Sequence, residues 1–305
     1  MAVRHTDRLR VVASGVVVAI GALAWSSTRL LGAAGEPPSA GAPAVAGRAA
    51  APASAAAVAD GRPRLDLGGA RVIDLSHAYG PETLFWPADP PQTFRLEVLH
   101  HGPTPGGFFY AANKFCGPEH GGTHLDAPLH FADGKWSAAE VPAERLVAPA
   151  VVLDVRRQAA ADPDYRLTPQ DVAAWEAAHG RIPAGAVVLL RTGWSERWPD
   201  RLRYFGSAST SDASGLHFPS YGVEAANLLL ERQVAALGVD TASIDHGPSR
   251  DFPVHRATAA ANVSGLENLT GLDQLPATGA WIVALPMKIA GGSGGPLRAI
   301  ALLPR

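Results

Sequence analysis

The run His120-Gly121-Gly122-Thr123-His124-Leu125-Asp126-Ala127-Pro128-Leu129-His130 constrains this chain more than any other. Three histidines and one carboxylate stand at even positions within it. In extended backbone, side chains two and four apart share a face. His124 and Asp126 then point the same way, with His120 nearby. A helix would also stack His120 over His124, but Gly121, Gly122, Thr123 and Pro128 oppose one. The expected structure is a loop that enters a short strand ending at Pro128. Burying four such groups together is costly unless something pairs with them. Imidazole and carboxylate suit zinc, manganese or iron, so the run predicts a metal site.

Upstream, Arg4, Arg8 and Arg10 precede an apolar run over residues 11–25, the pattern of a secretory leader. The run is short for a membrane span of about 20 residues, although it can be extended to Leu31. Residues 1–34 are expected to be a signal peptide or a retained membrane anchor. The protein is then exported or membrane-anchored, with contact to a membrane only through this segment if it is uncleaved. A misassigned start codon would instead make it cytoplasmic. Residues 35–61 are rich in Ala, Pro, Gly and Ser, without aromatic residues, and predict a disordered linker. Residues 62–305 are the expected folded domain.

Within it, residues 71–76, 93–100, 150–155, 186–191, 234–239, 280–287 and 298–303 read as strands. Residues 108–116 lead into the metal stretch. Thr168 predicts a helix N-cap with Pro169 behind it and Gly180 as the stop; residues 221–232 predict another helix. Alternating strands and helices indicate an α/β fold with a largely buried sheet. Phe85-Trp86-Pro87 is either a core plug or a pocket wall. Phe108, Phe109, Tyr110 and Phe115 precede the ligands and are expected to divide between core and pocket, with Phe109 taken as substrate-binding. Cys116, the single cysteine, rules out an intrachain disulfide and is expected to be a small buried hydrophobe. The glycine-rich segment 291–296 falls between two strands and reads as a hairpin-like excursion near the site. A net charge of −2 gives no electrostatic case for nucleic acid.

The pattern His-x-Gly-Thr-His-x-Asp-x-Pro-x-His resembles the signature of the cyclase-like metal-dependent hydrolases, the family of bacterial kynurenine formamidases and isatin hydrolases. The resemblance runs from about residue 72 to the C-terminus. It implies a compact single α/β domain of the swivelling β/β/α, kynurenine formamidase-like type, with a mixed, largely buried sheet and flanking helices. It also implies a homodimer whose partner can contribute pocket residues. By spacing alone His255 and Glu267 are weak, since a lone histidine is more often merely hydrogen-bonded. Leu266-Glu267-Asn268-Leu269, twelve residues after His255, is similar to the family's late pair.

Carried over residue by residue, the resemblance implies that His120, His124 and Asp126 bind metal and that Asp126 can bridge two ions. His255 and Glu267 would complete a second position. His130 would be the general acid/base, and Trp86 a wall of the substrate pocket. The cofactor is one or two divalent ions, Zn(2+) before Mn(2+). The expected reaction is hydrolysis of the C–N amide bond of a small molecule, an aryl formamide such as N-formylkynurenine. Isatin-hydrolase-like members often lack the late Glu, so Glu267 tilts toward the two-metal, formamidase-like form. The alternatives are isatin-type opening of a cyclic amide or lactone, and a non-catalytic exported metal- or small-ligand-binding protein. The last would need the ligands but not His130.

Overall fold

The structure is a computed structural model and describes residues 68–304. The leader and linker expected over 1–61 lie outside the described residues. Strand β1 (Arg71–Asp74) comes first, followed by a hairpin of β2 (Arg95–Pro103) and β3 (Phe109–Cys116), then β4 (His124–Asp126). Next come α1 (Ala143–Leu146), β5 (Val147–Asp154), α2 (Arg156–Ala161), β6 (Arg166–Leu167), α3 (Pro169–His179), β7 (Val187–Arg191) and α4 (Arg201–Phe205). The chain continues through β8 (Ser220–Tyr221), α5 (Val223–Glu231), β9 (Ala236–Val239), α6 (Pro253–Ala260), β10 (Ser264–Glu267), β11 (Ala280–Pro286) and β12 (Gly294–Leu303). No helix among the described residues is long and apolar enough to cross a membrane.

Eight strands form one mixed sheet in the order β1-β12-β11-β5-β7-β9-β10-β4, and β4 also pairs with β12. The sheet therefore closes on itself. β5, β7, β9 and β10 run parallel to their neighbours in that series; β4, β11, β12 and β1 pair antiparallel. Both faces are buried, which is why the central strands read as unbroken apolar runs. Val152, Val187, Leu189 and Ala236 pack inward with Ile73, Leu125, Leu266 and Ala301. Val151, Leu153, Val188, Leu190 and Leu237 face Val172 of α3 and Ala225 and Leu229 of α5. This is the mixed, buried α/β sheet with flanking helices that the sequence predicts.

Local chemistry sets the boundaries. Thr168 caps α3 in a capping box with Asp171, and Gly180 ends it at φ 87°. The second helix starts later than periodicity suggests. Tyr221 is held in β8 against Leu167, and its hydroxyl donates to the carbonyls of Val188 and Gly238. The segment 291–296 is only half an excursion: residues 291–293 lie in the connection between the antiparallel strands β11 and β12, whereas Gly294, Gly295 and Pro296 are the first residues of β12 and pair with Asp126, Leu125 and His124.

The larger correction is the β2–β3 hairpin. Its strands pair only with each other among the described residues. Phe108, Phe109, Tyr110 and Phe115 are all exposed there, Phe109 at 63%, and none joins the core. Cys116 is likewise exposed rather than a buried hydrophobe. Alternation marks these residues as strand, but nothing local says that neither face will be covered by the chain's own sheet.

Candidate metal centre

β4 carries the centre. Wedged between β10 and β12, its three residues are fully enclosed, and its pleat puts His124 and Asp126 on one side. His120 arrives from the preceding loop, where Gly121 and Gly122 adopt φ 137° and 57°. Those values are open to glycine at little cost, and the loop turns His120 back toward Asp126. His255 comes from the first turn of α6 and Glu267 from the end of β10, directly across the ladder from His124.

Asp126 is shared. Its Oδ1 lies 2.6 Å from His120 Nδ1 and 3.2 Å from His124 Nε2, while its Oδ2 lies 3.1 Å from His255 Nε2. Glu267 reaches both sides: Oε1 is 3.1 Å from His255 Nε2 and Oε2 is 3.5 Å from His124 Nε2. Two donor groups result, His120–His124–Asp126 and Asp126–His255–Glu267, each with its ligand atoms within 4.8 Å of one another.

Each imidazole is oriented from behind. His124 Nδ1 meets the Gly122 carbonyl at 3.0 Å. His255 Nδ1 meets Asp245 Oδ2 at 2.7 Å, and Asp245 also accepts from the backbone N–H groups of Val254 and His255. His120 Nε2 meets Ser293 Oγ at 2.8 Å. Such outer partners fix which ring nitrogen offers its lone pair. The sequence flagged 240–245 as a functional loop but gave Asp245 no part.

Electrostatics test whether these donors fit a cation. Burial alone would lower His124, but Asp126 and then Glu267 hold it up at about 9. His255 is raised well above the usual histidine range: burial opposes this, and Asp126, Asp245 and Glu267 outweigh it. Burial would raise Asp126, yet the charge of His124 and hydrogen bonds from His120, His124 and His255 keep it well below the usual carboxylate range. Glu267 is raised, first by burial and then by Asp126. Two buried carboxylates this close demand positive charge. Protons on the histidines meet that demand in the protein alone, and a divalent cation meets it better, because neutral imidazoles and both carboxylates then become ligands. The donor set fits a divalent metal.

The centre forms the floor of a cavity of about 290 Å³. Leu84, Trp86, Phe131, Phe205 and Phe252 line it with His120, His124, Asp126, His130, His255 and Glu267. Trp86 is thus a wall, 6.0 Å from Phe252 between ring centroids, and Phe252 is 5.4 Å from Phe131. Phe252 sits at φ 48°, a strained conformation for a bulky residue, immediately before Pro253 opens α6. His130 stacks on His120 at 3.8 Å and lines the cavity. The candidate ligands read from the sequence and Trp86 all come together at this cavity. Sequence reasoning missed Phe131, Phe205 and Phe252, of which only Phe131, adjacent to His130, carried a local signal. Phe109 is not here; it lies on the exposed hairpin against His101.

The Cyclase family model matches residues 73–246. A protein named isatin hydrolase from Roseibium aggregatum is 36% identical over 251 residues, which cover 78% of this chain and 94% of that protein. A kynurenine formamidase from Sphingopyxis alaskensis is 29% identical over 246 residues, covering 76% and 97%. Among solved structures, isatin hydrolase A from Ralstonia solanacearum superposes with a TM-score of 0.70 at 40% identity, covering 77% of this chain and 93% of that one.

Proposed function

Because this chain belongs to the Cyclase family, we propose that it is a metal-dependent amidohydrolase that cleaves the C–N bond of an N-aryl amide. One observation carries the reading: a carboxylate shared between two donor groups forms the floor of a cavity walled by aromatic rings. His120, His124 and Asp126 would hold one ion, and Asp126, His255 and Glu267 a second, with zinc before manganese. When bound, such an ion polarises a carbonyl and makes water acidic enough to attack near neutral pH.

The protein's own groups do the rest. Trp86, Phe131 and Phe252 offer flat apolar area to an aryl ring and exclude water from it. Asp245 keeps His255 Nε2 aimed at the floor. His130 is held below the usual histidine range, first by desolvation. It is therefore neutral at physiological pH, able to take a proton at its free nitrogen and return it to the departing aryl nitrogen. An aryl amine leaves more readily than an alkyl amine, which suits an aryl formamide such as N-formylkynurenine. A second reading, ring opening of isatin, is favoured by the 36% identity to a protein of that name. Both substrates present an N-aryl amide carbonyl.

The test is hydrolysis of N-formylkynurenine and of isatin, measured with zinc content before and after chelation. Turnover that is lost on chelation and restored by zinc or manganese is the expected result, and the preferred substrate decides between the two readings. His130→Ala should keep its zinc and lose turnover by about 10²–10⁴-fold; full activity would remove His130 from the reaction. Asp126→Ala should bind no zinc.

We also infer a homodimer formed through the β2–β3 hairpin. A lone two-stranded hairpin is marginal in water, and this one exposes Leu96, Val98, Leu99 and four aromatic residues. A second copy would cover them, and Phe109 would then serve the partner's cavity rather than its own.

A further inference from the structure

The glycine-rich segment 291–295 has no role in that reaction, yet it is tied closely to the centre. The Ser293 N–H donates to Glu119 Oε2 at 2.9 Å, and the Ser293 carbonyl accepts from Ala127 N–H at 2.9 Å. The Gly292 carbonyl accepts from Ala138 N–H at 2.8 Å. A Cβ at residue 292 would stand 2.8 Å from Glu119 Oε1, and one at 294 would stand 2.6 Å from His120 Cε1. Glycine on both sides lets the backbone press against Glu119 and His120, and the single side chain between them is a hydroxyl.

That hydroxyl has fixed partners. Ser293 Oγ is 2.6 Å from Glu119 Oε2 and 2.8 Å from His120 Nε2. A carboxylate only accepts, so the one hydroxyl proton goes to Glu119, and Ser293 Oγ accepts from His120 Nε2–H. Nδ1 faces Asp126 Oδ1 at 2.6 Å and donates to it in the protein alone; a divalent cation held between them would take the place of that proton and leave the imidazole protonated only at Nε2.

A rival assignment fails on position. Residues 291–295 spell Gly-x-Ser-x-Gly, and Ser293, His120 and Asp126 stand in the order of a nucleophile, base and acid. But Ser293 is not among the residues that line the cavity. It precedes a strand rather than a strand-to-helix elbow, and its proton is committed to Glu119.

We propose that Glu119 and Ser293 are a positioning pair that holds His120 as its Nε2–H tautomer and presents Nδ1 to the metal. The inference rests on the metal-centre reading. Its test is the zinc affinity of the full chain, by competition with a chromophoric chelator, for the parent protein, Ser293→Ala, Glu119→Gln and the double variant. Imidazole ¹⁵N spectra of the zinc-loaded proteins are recorded alongside. Ser293→Ala should weaken zinc binding by about 10–100-fold, Glu119→Gln by less, and the double variant no more than Ser293→Ala alone. The parent spectrum should show His120 protonated at Nε2 and bound through Nδ1. Unchanged affinity in both single variants overturns the pair, as do losses that multiply in the double variant or ligation through Nε2. Labelling of Ser293 by a fluorophosphonate with loss of turnover would make it a nucleophile instead. If Ser293→Ala does not fold, Glu119→Gln carries the test because it keeps the shape and one acceptor. A parent protein that takes up no zinc overturns the centre itself; zinc uptake with unaffected variants overturns only the pair.

Discussion

His77 shows how one buried ring can set acid stability. It stacks on Trp198 at 4.2 Å, and its Nε2 is buried without a hydrogen-bond partner. Desolvation lowers its pKa from 6.5 to about 4. The unfolded chain takes up this proton below about 6.5 and the folded one does not, so the contribution is complete above that pH and is lost as pH falls toward 4. Asp240 acts the other way: burial raises it to about 6, so its contribution is present at low pH and lost as pH rises through that value. The useful comparison is therefore between variant and parent. His77→Phe keeps the stack and removes the titration. Between pH 7.5 and 5 it should gain about 2 kcal/mol on the parent in urea unfolding, and a flat difference would remove His77 from acid sensitivity. Sequence legibility also divides at this scale. His120, His124, Asp126 and His130 were legible because their geometry is local to one loop and strand. His255 and Glu267 became visible only through family resemblance, since nothing in a linear reading brings His255 across 129 residues to Asp126. Asp245, Glu119 and Ser293 were not legible as outer partners because each acts through another side chain. Phe109 lies outside this chain's own cavity, which was not legible because the same alternation serves a covered strand and a bare one.

Among the elements, β4 has the largest consequence for its length. Three residues carry two proposed ligands and also join β10 to β12 to close the sheet. The seam depends on Gly294, where a Cβ would stand 2.5 Å from the Leu125 carbonyl oxygen. Backbone on that side cannot swing away as a side chain would. Gly294→Ala should cost about 1–3 kcal/mol and release zinc at lower chelator concentration than the parent. An unchanged urea midpoint would mean that the seam tolerates a side chain. Of its neighbours, β12 was legible only over 298–303 and β10 was not read as a strand, whereas α3 was legible through its cap. Closure was not, because it depends on β12 pairing with β1, β11 and β4 at once, and 291–296 looks like a loop until its partner strand is known.

For the whole molecule, the hairpin predicts the assembly. Light scattering should give a particle of two chains, and Val98→Asn with Phe109→Asn should shift it toward one. A parent protein that runs as a single chain at micromolar concentration would leave the hairpin without the partner inferred for it. The closed sheet has a further consequence. Four of the five proposed ligands ride on β4, β10 and α6 and the fifth on the turn before β4, whereas the cavity walls Leu84 and Trp86 come from a connection, as does Phe252 just ahead of α6. Reaction chemistry and molecular taste are therefore inherited through different stretches of chain. A lineage built on this plan can exchange one aromatic wall for another and acquire new diets while its engine stays untouched, because those edits fall where the sheet has no seam to lose.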